Sequence, residues 1–140
     1  EVAYNLEATD QAGMPWSLHA QYGTVVVLLV GDLYDDRTTN TLVAMAEASG
    51  DHSGVRFVGF VGQSETEEPC GMECAAEAAT AYGVSTMIWD ASAGQTTYAE
   101  WTQGNAPRLY IIDQEMVINW VNFGSTVASQ IGDKLDDLDR

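Results

Sequence analysis

Thr24-Val25-Val26-Val27-Leu28-Leu29-Val30 is the stretch that decides the fold. Its apolar, β-branched run has no polar alternation, so it reads as a strand covered on both faces. A helix follows over Thr41 to Ala48, with Leu42, Val43, Met45 and Ala46 assigned to its inner face and a stop near Gly50. Val55 to Val61 is a second strand of the same apolar character. Two such strands joined by a helix imply a parallel pair inside an α/β sheet.

Outward from this unit, Tyr4 to Leu18 alternates weakly and turns at Gln11-Ala12-Gly13, a strand or hairpin ahead of the core. After the second strand, Gln63 to Pro69 is a polar, acidic loop. Cys74 to Tyr82, made of strong helix formers and halted by Gly83, is a helix. Met87-Ile88-Trp89 is a short strand, and Thr97 to Trp101 a short helix. Leu109 to Ile112 and Met116 to Trp120 flank Asp113-Gln114-Glu115 as a hairpin. The closing helix starts near Ser125 or Thr126, where either hydroxyl can cap it, and buries Val127, Ile131, Leu135 and Leu138.

The 140 residues are expected to form one domain, 1–140, with a core of its own. No apolar run approaches the ~20 residues of a membrane span. Twenty-one acids against five bases give a net charge of -16, and Lys134 is the sole lysine. That field repels phosphate backbones and anionic lipid, so nucleic acid and membrane surfaces are not expected partners. Asp133, Asp136, Asp137 and Asp139 read as the solvated face of the last helix. The chain opens on Glu1 rather than a methionine, so an upstream signal, anchor or tag is expected to have been removed and the protein to be exported, periplasmic or extracellular.

The two cysteines stand in Pro69-Cys70-Gly71-Met72-Glu73-Cys74. Close spacing suits a disulfide in an oxidising compartment. No metal or cofactor is expected, since His19 and His52 complete no zinc pattern. Residues four apart on a helix hold Cβ atoms ~5–6 Å apart, wider than the ~3.5–4.5 Å of a disulfide. Bridging therefore requires a distorted first turn, or a helix that begins after Glu73.

Four segments stand in order along the chain: Tyr4 to Gly13 with Trp16-Ser17-Leu18; Gly23 to Val30; Tyr82-Gly83-Val84 with Trp89-Asp90; and Ala106-Pro107-Arg108 leading into Leu109-Tyr110-Ile111-Ile112-Asp113. Together they resemble the thioredoxin-like superfamily, in particular its exported redoxin branch of AhpC/TSA-type peroxiredoxins and TlpA-like thiol-disulfide oxidoreductases. The resemblance implies an α/β thioredoxin-like sandwich, a mixed central sheet flanked by helices. It also implies a cis bond at Pro107, and a groove in which Tyr34, Asp35 and Pro107 meet an extended substrate. The family hairpin usually carries glycine where Glu115 stands.

One departure outweighs the rest. The family's reactive cysteines follow the first core strand, and here that stretch, Asp32 to Thr39, contains none. Cys70 and Cys74 instead follow the adjoining strand, whose carboxyl end shares the functional edge of an open α/β sheet. They stand at a helix N-terminus that favours a thiolate, opposed by Glu65, Glu67, Glu68 and Glu73. The first reading is an atypical thiol-disulfide oxidoreductase with Cys70 and Cys74 as catalytic pair, the more exposed Cys70 attacking a protein or peptide disulfide and Cys74 resolving it. Beside it stand an inactive binding or accessory module with a structural disulfide, and a Sco-like copper(I) site, for which Met72 is either a soft third ligand or only a loop residue and neither His19 nor His52 plainly supplies the distal histidine. Arg37 and Arg108 pair with local acids such as Asp36, and the four tryptophans serve packing.

Overall fold

The apolar run from Val26 forms an interior strand of a seven-stranded sheet in the computed structural model, which describes residues 1–138. In chain order the elements are β1 (Glu7–Asp10), β2 (Pro15–Ser17), β3 (Val26–Gly31), α1 (Asp36–Ser49), β4 (Arg56–Val61), α2 (Met72–Tyr82), β5 (Thr86–Trp89), α3 (Thr96–Thr102), β6 (Arg108–Ile112), β7 (Ile118–Phe123) and α4 (Ala128–Leu138). The sheet order is β2-β1-β5-β4-β3-β6-β7. Strands β3, β4 and β5 are parallel neighbours, while β6, β7 and the β1–β2 hairpin run antiparallel to the strands they join.

Every residue of β3 is buried, and the pleat divides them between two apolar layers. Val27 and Leu29 pack with Leu42 and Met45 of α1, Ala75 and Ala78 of α2, and Ile131 and Leu135 of α4. Val26, Leu28 and Val30 pack on the opposite side with Leu6, Leu18, Tyr98 and Trp101. This two-sided cover is why β3 shows no polar alternation.

Three helix starts differ from the sequence expectation. Helix α1 starts at Asp36 rather than Thr41, since the Asp35 carboxylate accepts the Arg37 backbone N–H at 2.9 Å and closes the first turn. Val43 then faces solvent rather than the core. Helix α2 starts at Met72, two residues before Cys74. Helix α4 starts at Ala128, and neither expected hydroxyl caps it. Thr126 is held sideways, its N–H donating to Thr41 Oγ1 and its own Oγ1 accepting from Asn122, so Val127 is exposed.

The β6–β7 connection is longer than expected, running from Asp113 to Val117. Asp113 Oδ1 accepts the N–H groups of Glu115 and Val117, and Met116, not Glu115, takes the positive φ of 64°. Strand β7 consequently begins at Ile118. At the other hairpin, Asp10 Oδ1 gathers the N–H groups of Ala12 and Met14, and Gly13 supplies φ 84°. Asp133, Asp136 and Asp137 are exposed as expected of a solvated face; Asp139 lies outside the described residues.

Candidate functional site

Where β3 ends, Gly31 has no room for a Cβ, which would strike the Thr38 side chain and press on Pro107. Thr38 is fully buried there, and its Oγ1 has no hydrogen-bond partner. Asp32 follows, and one of its oxygens, Oδ1, accepts from the Gln63 N–H at 2.9 Å and the Tyr98 hydroxyl at 2.8 Å. Asp35 caps α1 and holds the Arg37 guanidinium through two bonds of 3.1 and 2.8 Å. The partner of Arg37 is thus Asp35 and not Asp36.

The charges follow from this geometry. The Arg37 hydrogen bond holds the Asp35 carboxyl below its usual range. The Asp32 charge pushes the Tyr34 phenol up, and burial followed by Asp32 pushes Tyr98 up. No group in this corner is a thiol. It offers hydrogen-bonded carboxylates and phenols, which cannot exchange with a disulfide.

On the β6 side of the corner, the Ala106–Pro107 bond is cis. Arg37 donates to the Ala106 carbonyl at 3.3 Å. Arg37, Asn105, Ala106, Pro107, Phe123 and Gly124 surround an open cavity of about 240 Å³. Phe123 is exposed, and the Arg108 guanidinium lies 4.6 Å from its ring centroid. Tyr34 and Asp35 do not line this cavity; Asp35 reaches it only through Arg37.

The β4 side carries the sulfur. The Leu33 N–H donates to the Gln63 carbonyl at 2.8 Å and the Cys70 N–H to the Gly62 carbonyl at 3.0 Å, so both chains leave the same sheet edge side by side. Ser64 gathers the intervening loop by accepting the N–H groups of Thr66 and Glu68, and Gln63 bridges Pro69. Cys70 and Cys74 form a disulfide with Cα atoms 5.3 Å apart. Cys70 precedes the helix and Cys74 lies in its first turn, with Gly71 as the extended cap residue between them. The bridge therefore spans the cap, and α2 neither breaks its first turn nor waits until after Glu73.

Exposure reverses the expected order of the pair. Cys70 is 2 % exposed and belongs to the apolar layer of α1, α2 and α4, whereas Cys74 is half-buried at its margin. Cys74 lines an open cavity of about 400 Å³ together with Leu33, Glu65 and Glu77. Neither sulfur is a free thiolate for copper(I). Met72 lies against the Gly13 turn, His19 bonds the Ala3 carbonyl, and His52 lines a cavity between α1 and α4. Among the described residues no three His, Cys, Asp or Glu side chains converge as metal ligands.

No family model and no curated protein matches the sequence. Solved structures match over nearly the whole chain. A secreted Mycobacterium tuberculosis disulfide oxidoreductase homologous to Escherichia coli DsbE superposes with a TM-score of 0.76 at 13% identity, covering 94% of this chain and 95% of that one. The fold is thioredoxin-like. The exposed lipoprotein thioredoxin of Streptococcus pneumoniae has a TM-score of 0.70 at 15% identity, with 96% and 100% covered. The peroxidoxin BcpB of M. tuberculosis gives 0.73 at 16%, with 96% and 90% covered. No helix of this thioredoxin-like chain is long and apolar enough to cross a membrane among the described residues.

The element that sequence reasoning missed is the Asp32–Tyr98 pair. Sixty-six positions separate the two residues, and nothing in either neighbourhood signals the contact. The Asp35–Arg37 pair had a visible signal, an aspartate two residues before an arginine at a helix start.

Proposed function

We propose that this thioredoxin-like domain is a thiol-disulfide oxidoreductase whose exchanging bond is Cys70–Cys74, entered at Cys74. The observation that carries the reading is the unequal placement of the bonded residues: Cys74 borders an open cavity, and Cys70 is 2 % exposed behind it. An incoming thiolate attacks Cys74 Sγ, the S–S bond breaks, and its electron pair leaves on Cys70. Cys70 stands just ahead of the free N–H groups of α2, which favour that anion, while Glu73 in the first turn opposes it. A second thiol then displaces the first from Cys74, leaving an oxidised substrate and two protein thiols. In reverse, the reduced Cys74 opens a substrate disulfide and Cys70 resolves it.

The bridge is also a poor staple. Its cysteines are only four positions apart, and a loop that short constrains the unfolded chain by about 2 kcal/mol at most. The corner of Tyr34, Asp35 and Pro107 is proposed to receive the polypeptide that carries the reacting sulfur. Export fits a disulfide held in an oxidising compartment.

A second reading, an inactive accessory module with a structural disulfide, is favoured by one observation: Cys70 packs in the apolar layer. Trapping separates the two. Reduced Cys70→Ala protein, offered a peptide disulfide, accumulates a mixed disulfide on Cys74, and Cys74→Ala protein does not accumulate one on Cys70. Equal trapping on both, or none on Cys74, supports the accessory module.

A further inference from the structure

We infer that the cavity beside Cys74 selects thiols carried by cationic molecules, an inference that rests on the exchange reading above and adds its substrate class. The cavity of about 400 Å³ brings Glu65, from the loop after β4, and Glu77, from the second turn of α2, around the half-buried Cys74. Leu33, Ala78 and Ala81 supply its apolar lining, and among the described residues no arginine or lysine lines it. Tyr82, at the end of α2, has its phenol pushed up first by burial and then by Glu65 and Asp36, so the Asp36 charge of α1 adds to that of Glu65 near Tyr82.

Among the described residues no basic side chain offsets this charge: three are engaged elsewhere, and Arg56 is exposed at the start of β4, the strand end opposite the Cys70 exit. Arg37 is held by Asp35, Arg108 lies over Phe123, and Lys134 lies over Trp120. An approaching thiolate with no other charge meets repulsion just where it must come within bonding distance of Cys74 Sγ. A thiolate carrying an ammonium or guanidinium a few atoms away sets that positive charge against Glu65 and Glu77 as its sulfur reaches the disulfide. The step is ordinary exchange: a bond forms from substrate sulfur to Cys74 Sγ, the Cys70–Cys74 bond breaks, and Cys70 leaves as thiolate and takes a proton from solvent. A second cationic thiol releases the oxidised dimer, so the protein disulfide is the oxidant and the thiols are the reductant.

The test compares the rates at which cysteamine, 2-mercaptoethanol and 3-mercaptopropanesulfonate reduce the oxidised full chain, each corrected to equal thiolate concentration, at low salt. Cysteamine is expected to lead and the sulfonate to trail by about tenfold overall, a spread that shrinks as salt screens the charges. Glu65→Gln with Glu77→Gln, both exposed positions, is expected to collapse the spread to about twofold. Asp133→Asn with Asp136→Asn removes the same charge from α4, outside this cavity, and is expected to keep the ranking. Equal rates for the three thiols overturn the selectivity while leaving exchange intact. Equal loss of ranking in both double variants overturns the cavity's part in it and assigns the effect to the net charge of -16. No reduction by any of the three overturns the exchange reading itself.

Discussion

Tyr98 donates a 2.8 Å hydrogen bond to Asp32, tying α3 to the loop that leaves β3. The same carboxylate oxygen accepts the Gln63 N–H, so one aspartate joins three separate segments at the corner of the sheet. Tyr98 also packs edge-on against Phe60, with ring centroids 5.4 Å apart. These bonds tie α3 to the loops that leave β3 and β4 at one sheet edge.

Tyr98→Phe keeps the ring packing and removes only the donor. It is expected to lower stability by about 1.5–3 kcal/mol, the range for a hydrogen bond to a charged group. Asp32→Ala is expected to cost more, because Tyr98 and the Gln63 N–H both lose their acceptor. Urea denaturation of the three proteins measures the ranking.

Gly31→Ala tests how closely the corner is packed. Its Cβ would strike Thr38 and press on Pro107, both buried. The expected loss is about 1–3 kcal/mol, the usual cost of overpacking. A Gly23→Ala control meets no neighbouring atom but sits at φ 94°, so its loss reports backbone strain alone.

Acid is expected to weaken the fold through two carboxylates. Asp35 is lowered chiefly by its Arg37 hydrogen bond; at Asp113 burial acts upward, but the bonds from Val117, Asn119 and Glu115 outweigh it, so it too is lowered. A carboxyl with a depressed folded-state pKa stabilises the fold above its unfolded value and loses that contribution as pH falls through the folded value. Stability is therefore expected to be level above the ordinary value of 3.8 and to drop below it, more gently in Asp35→Asn and Asp113→Asn proteins. Denaturant midpoints between neutral pH and strong acid check this.

Reduction of the disulfide is expected to leave the protein folded. A loop closed between positions 70 and 74 contributes about 2 kcal/mol at most. Thermal unfolding with and without dithiothreitol measures the difference. Loss of the folded state on reduction would mark the bridge as a structural clip.

The strands and helices were legible in the sequence because two-sided burial leaves an uninterrupted apolar mark at Val25 to Val30 and at Phe57 to Val61. Helix ends were less legible. The start of α1 depends on Asp35 turning its carboxylate back onto the Arg37 N–H, and the start of α4 on Thr126 being pulled toward Thr41 instead of capping. The absence of thiol from Asp32 to Thr39 and the neighbouring exit of the Cys70 segment could be inferred from strand order alone. Which cysteine is buried could not: that depends on the Cys70 N–H pairing with the Gly62 carbonyl, which draws Cys70 under α2 and leaves Cys74 at the rim.

The reduction potential of the Cys70/Cys74 couple, set by equilibration in glutathione buffers and read by thiol alkylation, tests the relocated redox pair most directly. A working exchange couple gives a value above about -230 mV, in the range of the exchange enzymes. A value below about -300 mV is that of a permanent structural bond and contradicts it.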